Sequence, residues 1–373
     1  VKGSLVKAGL FARVVVMGLL VPMTSKSQES SISLIVDQDT FYSKYNEDRN
    51  YTMGVGARWV SAGVQSSGIT DPLLTLDQVL WDWVIMGDNR TESHGVVLGS
   101  TTFTPEDLAN PEPIPNDRPY ASLLYASTFV QRSDDATNPG KSFTTELTFG
   151  ILGLRISEDV QTWIHSGLRE VNGGQGRPDP EGWPNQISDG GEPTAMYRAA
   201  YDGLLWHCPA GQNRDWLQII PGIEFGVGYY TYAEAGGLIR LGWMRENYLH
   251  AGSFMEPIVP KNVDQNVGYA RLMASPPAPS WTDALDCFIF AKASGYGTLY
   301  NVMLQGQFMN DNPVEVDSSD VERLVGETQL GARLACGKFS VQYSVHRRTS
   351  EFESDLSRAH YWGSASLSYQ TRF

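Results

Sequence analysis

Residues 216–231 read WLQIIPGIEFGVGYYT. Leu217, Ile219, Ile223, Phe225, Val227 and Tyr229 share one parity, and Gln218, Gly222, Glu224, Gly226 and Gly228 share the other. A period of two belongs to a strand whose side chains alternate between two faces. A dry sandwich core tolerates such a pattern. Glycine and charge repeated on the inner set fit a polar lumen better, with the apolar set turned to lipid.

The same alternation recurs outward in both directions. In Tyr51 to Val60, Tyr51, Met53, Val55, Ala57 and Trp59 oppose Thr52, Gly54, Gly56 and Arg58. Further strand-like runs are Ser31 to Val36, His94 to Thr102, Ala121 to Gln131, Ser142 to Leu152, Thr194 to Trp206, Gly236 to Arg245, Leu285 to Leu299, Leu324 to Cys336 and Phe339 to Arg347. The stretch from Tyr361 alternates to a terminal Phe373, similar to the signal by which bacterial outer-membrane proteins are recognised for insertion. The total is twelve strands, an even number as a single-chain barrel requires. The fold expected is all-β, a transmembrane antiparallel β-barrel. No internal repeat or linker divides it.

Composition agrees with a chain of strands and turns: 37 glycines, 17 tyrosines and only 19% charged residues in 373. Lys2, Lys7 and Arg13 precede an apolar run, Val14 to Met23, with Ser25 and Ser27 at cleavage-like positions. Residues 1–27 are therefore expected to be a secretory signal peptide and 28–373 the barrel domain. The formal charge of −14 becomes −18 once Lys2, Lys7, Arg13 and Lys26 are removed, so nucleic acid is not an expected partner. No later segment holds 18 consecutive apolar residues, which excludes helical membrane spans. Cys208, Cys287 and Cys336 show no metal-ligand spacing, and Cys287 and Cys336 read as small apolar strand residues.

One helix interrupts the strands: Ser157 to Val171, SEDVQTWIHSGLREV, with acids in its first turn and Gly173 and Gly174 behind it. Gln161 and His165, four apart, project from one face. The region Ser61 to Thr91 reads as irregular, with an apolar patch LWDWVIM that is a short helix or a plug. Generic motifs are missing: no GxSxG, HExxH, P-loop or CxxC occurs.

Chemistry is left to three clusters. The first is Asp37-Gln38-Asp39-Thr40-Phe41 with Asp48-Arg49-Asn50-Tyr51-Thr52, where Ser31, Ser33, Asp37 and Asp39 share a parity and Thr52 lies on the polar set of the next strand. It reads equally as a rim where carboxylate, amide and hydroxyl converge or as a solvated hairpin. The second runs from Thr104-Pro105-Glu106-Asp107 to Asn116-Asp117-Arg118-Pro119-Tyr120-Ala121, either functional or a turn fixed by proline and an ion pair. The third is the Gln161–His165 helix with Gly182-Trp183-Pro184-Asn185-Gln186. A lone helical histidine on a loop is more often solvated than catalytic.

Together, DQDTF, EDRNYTMG, TPEDL, NDRPYA, QTWIH, GWPNQ, NVMLQG and RRTSEFE resemble, in order along nearly the whole chain after the leader, the outer-membrane lipid A 3'-O-deacylase family. The resemblance implies a monomeric twelve-stranded barrel that removes the 3'-linked acyloxyacyl group from lipid A of lipopolysaccharide and depends on calcium. Its active site would lie between the outer rim of the wall and a helix of an external loop. Carried over by motif, His165 would be the base that activates water, Asp39 the acid of the family's Asn-Asp pair, Gln38 the amide, Thr52 the hydroxyl and Arg118 the basic residue near RPYA that contributes. Calcium would take oxygens of Asp39, Asp37, Gln38 and backbone carbonyls. The chain departs from the pattern at Gln38 for asparagine, Met53 for the asparagine of YTNG, and Ser122 for the glycine after RPYA. Gln38 matters most, since an amide displaced by about 1 Å costs about a hundredfold in rate.

A non-catalytic barrel, either small channel or structural protein, is the competing class. A channel should show inner residues of one sign, whereas Arg58, Glu146, Arg198, Glu224, Arg240, Glu327 and Arg333 mix both. That mixture implies a lumen closed by ion pairs. An outer-membrane phospholipase with a Ser-His pair ranks behind it, because no serine stands beside a histidine in a recognisable motif.

Overall fold

The computed structural model describes residues 29–41, 50–82, 90–134, 140–171, 178–188, 190–211, 214–245, 285–307 and 314–372. The expected leader, Asp48 and Arg49, the stretch 83–86, His250, the connection 254–280 and Phe373 lie outside them. The strands are β1 (Glu29–Gln38), β2 (Asn50–Ser61), β3 (Arg90–Thr104), β4 (Ala121–Asp134), β5 (Lys141–Leu152), β6 (Glu192–Gly203), β7 (Trp206–Pro209), β8 (Arg214–Gly228), β9 (Tyr230–Arg245), β10 (Leu285–Asn301), β11 (Leu324–Cys336), β12 (Phe339–Arg348) and β13 (His360–Arg372). Sequential neighbours other than β6 and β7 pair antiparallel, β1 pairs with both β2 and β13, and β6 with β8 closes the sheet. β7 takes over the partner β8 where β6 stops, so the two share one position and the wall has twelve strands.

Alternation sorts the side chains as a lipid-facing barrel requires. Ile223 and Val227 are 57% and 58% exposed, whereas Glu224 between them is 4% exposed. Leu34, Leu98, Phe149, Ile239, Ile289, Leu330 and Val341 continue the apolar exterior. The mixed-sign inner set is buried, as expected of a closed lumen. Arg198 pairs with Glu146 at 2.9 Å and Glu224 at 3.6 Å, and Arg348 with Glu327 at 2.6 Å. Such pairs hold their place because removing one partner strands a buried charge, at about 3–5 kcal/mol.

Three expectations change. The run 216–231 contains a turn: β8 ends at Gly228 (φ 139°), and a Cβ there would meet the Ala195 carbonyl oxygen at 2.2 Å. Only glycine fits, and Tyr229 leaves the outward set to be buried beside the strand ends. Tyr51 likewise changes face. A β-bulge between Tyr51 and Met53 sets one extra residue, Thr52, opposite β3, so Tyr51 points into the lumen and meets Trp362 edge-on at 5.4 Å. The irregular region after β2 contains two helices, α1 (Ala62–Ser66) and α2 (Asp71–Trp81), the second with Pro72 in its first turn. The loop helix, α3, spans Ile156–Val171. All three cysteines are free.

Candidate functional site

The meander alternates its hairpins between two ends. The links β1–β2, β3–β4, β5–β6, β8–β9, β10–β11 and β12–β13 share the end opposite the start of β1. Along β3, Val97, Thr101 and Phe103 belong to the inner parity, and Leu98, Thr102 and Thr104 to the outer. Thr102, Thr104 and Ser122 face out, yet all are buried. The link between β5 and β6 covers them. Thr102 donates to Ser157 of α3 at 3.2 Å, and the Ser122 hydroxyl lies 3.0 Å from the Leu154 carbonyl and 3.1 Å from Gln186 Oε1. The helix thus sits on the outside of the wall.

The bulge decides where Thr52 points. Its hydroxyl lies 2.6 Å from that of Thr104, on the outer face beneath the loop. Gln38 pairs in register with Met53 and shares that outward parity. Asp37 faces the lumen, where Tyr51 Oη donates to it at 2.9 Å and Ser364 Oγ at 2.6 Å. Asp37 and Gln38 therefore stand on opposite faces, and the polar face on which Asp37 and Thr52 were expected to converge is divided by the bulge. Asp39 is fully buried and begins a 3-10 turn, Asp39–Phe41, whose Phe41 carbonyl accepts from the outward Tyr343 hydroxyl at 2.7 Å. Arg118 lies on the inner side, paired with Glu351 and stacked 4.5 Å over the lumen-facing Phe103.

Gln161 and His165 are both buried, on the face they share, so the histidine is not the solvated one that its spacing alone favoured. Trp183, with no exposure, donates from Nε1 to Gln161 Oε1 at 3.0 Å and packs on Tyr120 at 4.8 Å. This is how the GWPNQ segment clamps the helix. His165 Nδ1 lies 2.8 Å from the Pro178 carbonyl oxygen. A carbonyl only accepts, so Nδ1 carries the proton and the neutral ring keeps its basic lone pair on Nε2. Burial pushes His165 below its ordinary pKa; the Pro178 carbonyl opposes this, Arg169 adds to it, and Asp179 opposes it.

Among the described residues, no three His, Cys, Asp or Glu side chains gather where they would hold a metal ion. A cation at this rim would draw on Asp39 and on amide, hydroxyl and backbone oxygens, the mixed hard-oxygen shell that calcium accepts. Sequence reasoning missed Thr104, Ser122, Trp183, Gln186 and Glu351. Motifs containing them were visible, but their roles are contacts across 64 residues (Ser122 to Gln186) or 233 (Arg118 to Glu351), which no local pattern reveals.

The family model described as "Outer membrane protein LpxR" matches residues 10–371. The chain belongs to the LpxR family. LpxR from Salmonella typhimurium superposes with a TM-score of 0.62 at 14% identity, over 91% of this chain and 99% of that one, a likeness of fold. The translocator domain of the autotransporter NalP from Neisseria meningitidis gives a TM-score of 0.33 at 9% identity, over 99% and 96% of the two chains, too low to carry an argument. No curated protein matches the sequence. The segments that pointed to the LpxR family gather at one end: NDRPYA enters β4, QTWIH lies on α3, GWPNQ forms a 3-10 turn, NVMLQG ends β10 and RRTSEFE ends β12. Arg118–Glu351 and Trp183–Gln161 tie them together.

Proposed function

We propose that this LpxR-family protein is a calcium-dependent lipid A 3'-O-deacylase of the bacterial outer membrane, working at the extracellular rim. The observation that carries the reading is His165, held in the Nδ1–H tautomer on a helix that docks beside the Thr52–Thr104 pair on the outer wall. A lipid reaching this face keeps its acyl chains against the apolar exterior while its ester meets polar groups.

Ester hydrolysis needs a base for water and a partner for the developing oxyanion. His165 Nε2 takes a proton from water as the water oxygen adds to the acyl carbonyl. The tetrahedral carbon then expels the sugar 3'-oxygen, and the imidazolium returns the proton to it. Products are the free acyloxyacyl acid and a 3'-hydroxyl. Calcium, held by Asp39 with Gln38 and neighbouring oxygens, would supply positive charge for the oxyanion. Thr52 orients the rim, its hydroxyl tied to Thr104. Asp37 and Arg118 act from the lumen side as positioning residues, through Tyr51 and Glu351.

Mass spectrometry of lipid A from cells with and without the protein tests the reading. Loss of a mass equal to the 3'-linked acyloxyacyl group supports it. An unchanged lipid A profile, with the barrel present in the outer membrane, would favour a non-catalytic barrel.

A further inference from the structure

At the end where β1 starts, the outer wall is not bare. The α1–α2 segment lies across it. Thr70, just before α2, is 2.9 Å from His94 Nδ1 on β3. Asp77 then accepts from Arg132 of β4 at 2.6 Å, Thr145 of β5 at 2.7 Å and Tyr197 of β6 at 2.8 Å. Trp81 donates to the Tyr197 hydroxyl at 2.6 Å and meets the rings of Phe143 at 5.6 Å and Phe225 of β8 at 5.3 Å. His94, Arg132, Thr145, Tyr197 and Phe225 all share the outward parity of exposed neighbours on their strands, Leu98, Ala126, Phe149, Ala195 and Ile223.

The helix therefore runs across the strands. Its eleven residues reach about 16 Å at about 1.5 Å per residue, against roughly 19 Å for the four strand spacings from β3 to β8. With the strands crossing a membrane, such a helix lies in the membrane plane. Its composition is unlike that of a solvated helix. Ser61 to Trp81 contains no Lys, Arg or His and only two acids, Asp71 and Asp77, and Asp77 is buried against Arg132. Its free surface shows Ile69 at 51%, Val79 at 78% and Leu80 at 41% exposure, interleaved with the exposed polar Gln65, Ser66, Asp71, Thr75 and Gln78. Leu205 and Trp206, also exposed, stand at this same end, continuing the apolar exterior of the wall.

We propose that α1–α2 is an in-plane lipid-binding ledge whose occupant is the glycerophospholipid of the leaflet at the end where β1 starts. The observations that carry it are its course across the outward face, the scarcity of charged side chains of either sign, and continuity of its exposed apolar side chains with the lipid-facing wall. Asp77 neutralises Arg132, so the ledge also lets the wall carry an outward arginine at the interface. An amphipathic helix that buries an apolar face at the headgroup boundary lies on the membrane without spanning it.

The test uses the full barrel in phosphatidylethanolamine–phosphatidylglycerol vesicles, with Cys208, Cys287 and Cys336 replaced by serine. Single spin labels go at Val79→Cys, at Thr75→Cys one turn earlier on the same face, at Leu330→Cys on the wall and at Glu353→Cys on the opposite end. Accessibility to oxygen and to a water-soluble nickel chelate is read by power saturation, and heat-modifiable migration reports folding of each variant. Labels at 79 and 75 should match Leu330→Cys, open to oxygen and closed to nickel. Nickel accessibility like that of Glu353→Cys would overturn the ledge, and so would exclusion of both reagents. Neither result bears on deacylation, which is read at the other end of the barrel.

Discussion

At the scale of single residues, function turns on which nitrogen of His165 carries the proton. The Pro178 carbonyl keeps the proton on Nδ1 and leaves the lone pair on Nε2. His165→Asn keeps a polar side chain but cannot take a proton, so lipid A deacylation should fall by about 100-fold to 10,000-fold while the barrel still shows heat-modifiable migration. His94 and His207 lie toward the other end, bonded to Thr70 and Asp215, and serve as controls that should retain most activity. Near wild-type turnover in folded His165→Asn would remove the base assignment. Burial lowers the His165 pKa, so the neutral base persists below its ordinary value of about 6.5. The acid limb of kcat/KM should accordingly have its midpoint below that value and be lost in the Asn variant; a midpoint above it contradicts the buried-base reading. Asp39→Ala should abolish both turnover and its response to calcium if the carboxylate is a ligand. Calcium affinity measured by isothermal titration separates this from a role in orienting His165, which would leave the affinity unchanged. Magnesium should substitute poorly, because it demands tighter octahedral geometry and gives up water reluctantly.

At the scale of elements, α3 is only as useful as its seating. Ser157 meets Thr102 on the wall, and Trp183 holds Gln161 one turn before His165. Trp183→Phe keeps a large apolar ring but removes the indole donor and with it one buried hydrogen bond to Gln161, at about 1 kcal/mol. The helix should shift slightly and turnover should drop about tenfold to a hundredfold, with calcium affinity unchanged, since the ligands are assigned to the β1 rim. An unaltered rate would show that the clamp does not set the position of His165. The β2 bulge acts on the other side of the site. Without the extra residue, Thr52 would keep the alternation that places Arg58 in the lumen, and its hydroxyl could not meet Thr104 on the outer face.

For the whole molecule, the β6–β8 pairing leaves the wall without an open edge along that seam, so no strand is offered to a second copy. The purified protein should therefore sediment in detergent as a monomer and migrate differently before and after boiling. A stable dimer by analytical ultracentrifugation would contradict this. The lumen is packed with paired charges and aromatic rings rather than lined by one sign, consistent with a wall that serves as a rigid support for sites on its exterior. The two exterior devices then occupy opposite ends: α3 with His165 at one, α1–α2 at the other.

The architecture was legible because side-chain alternation is a local property. Twelve runs with apolar and polar parities favoured a closed sheet with a polar interior over a sandwich, and the ordered motifs already pointed to the LpxR family. The helix was legible for the same reason, with Gln161 and His165 on one face by spacing, whereas the role of His165 came only from the family resemblance. What the sequence left open were the places where periodicity breaks. One inserted residue at Thr52 reverses the face of Tyr51, a glycine at φ 139° ends β8 inside an unbroken apolar pattern, and Asp37 separates from Gln38 because neighbours in a strand point to opposite sides. Register and bulges are decided by pairing between distant strands, so only the tertiary structure put the Thr52–Thr104 pair and the His165 helix together on the outer wall, and left Asp37 and Arg118 inside it.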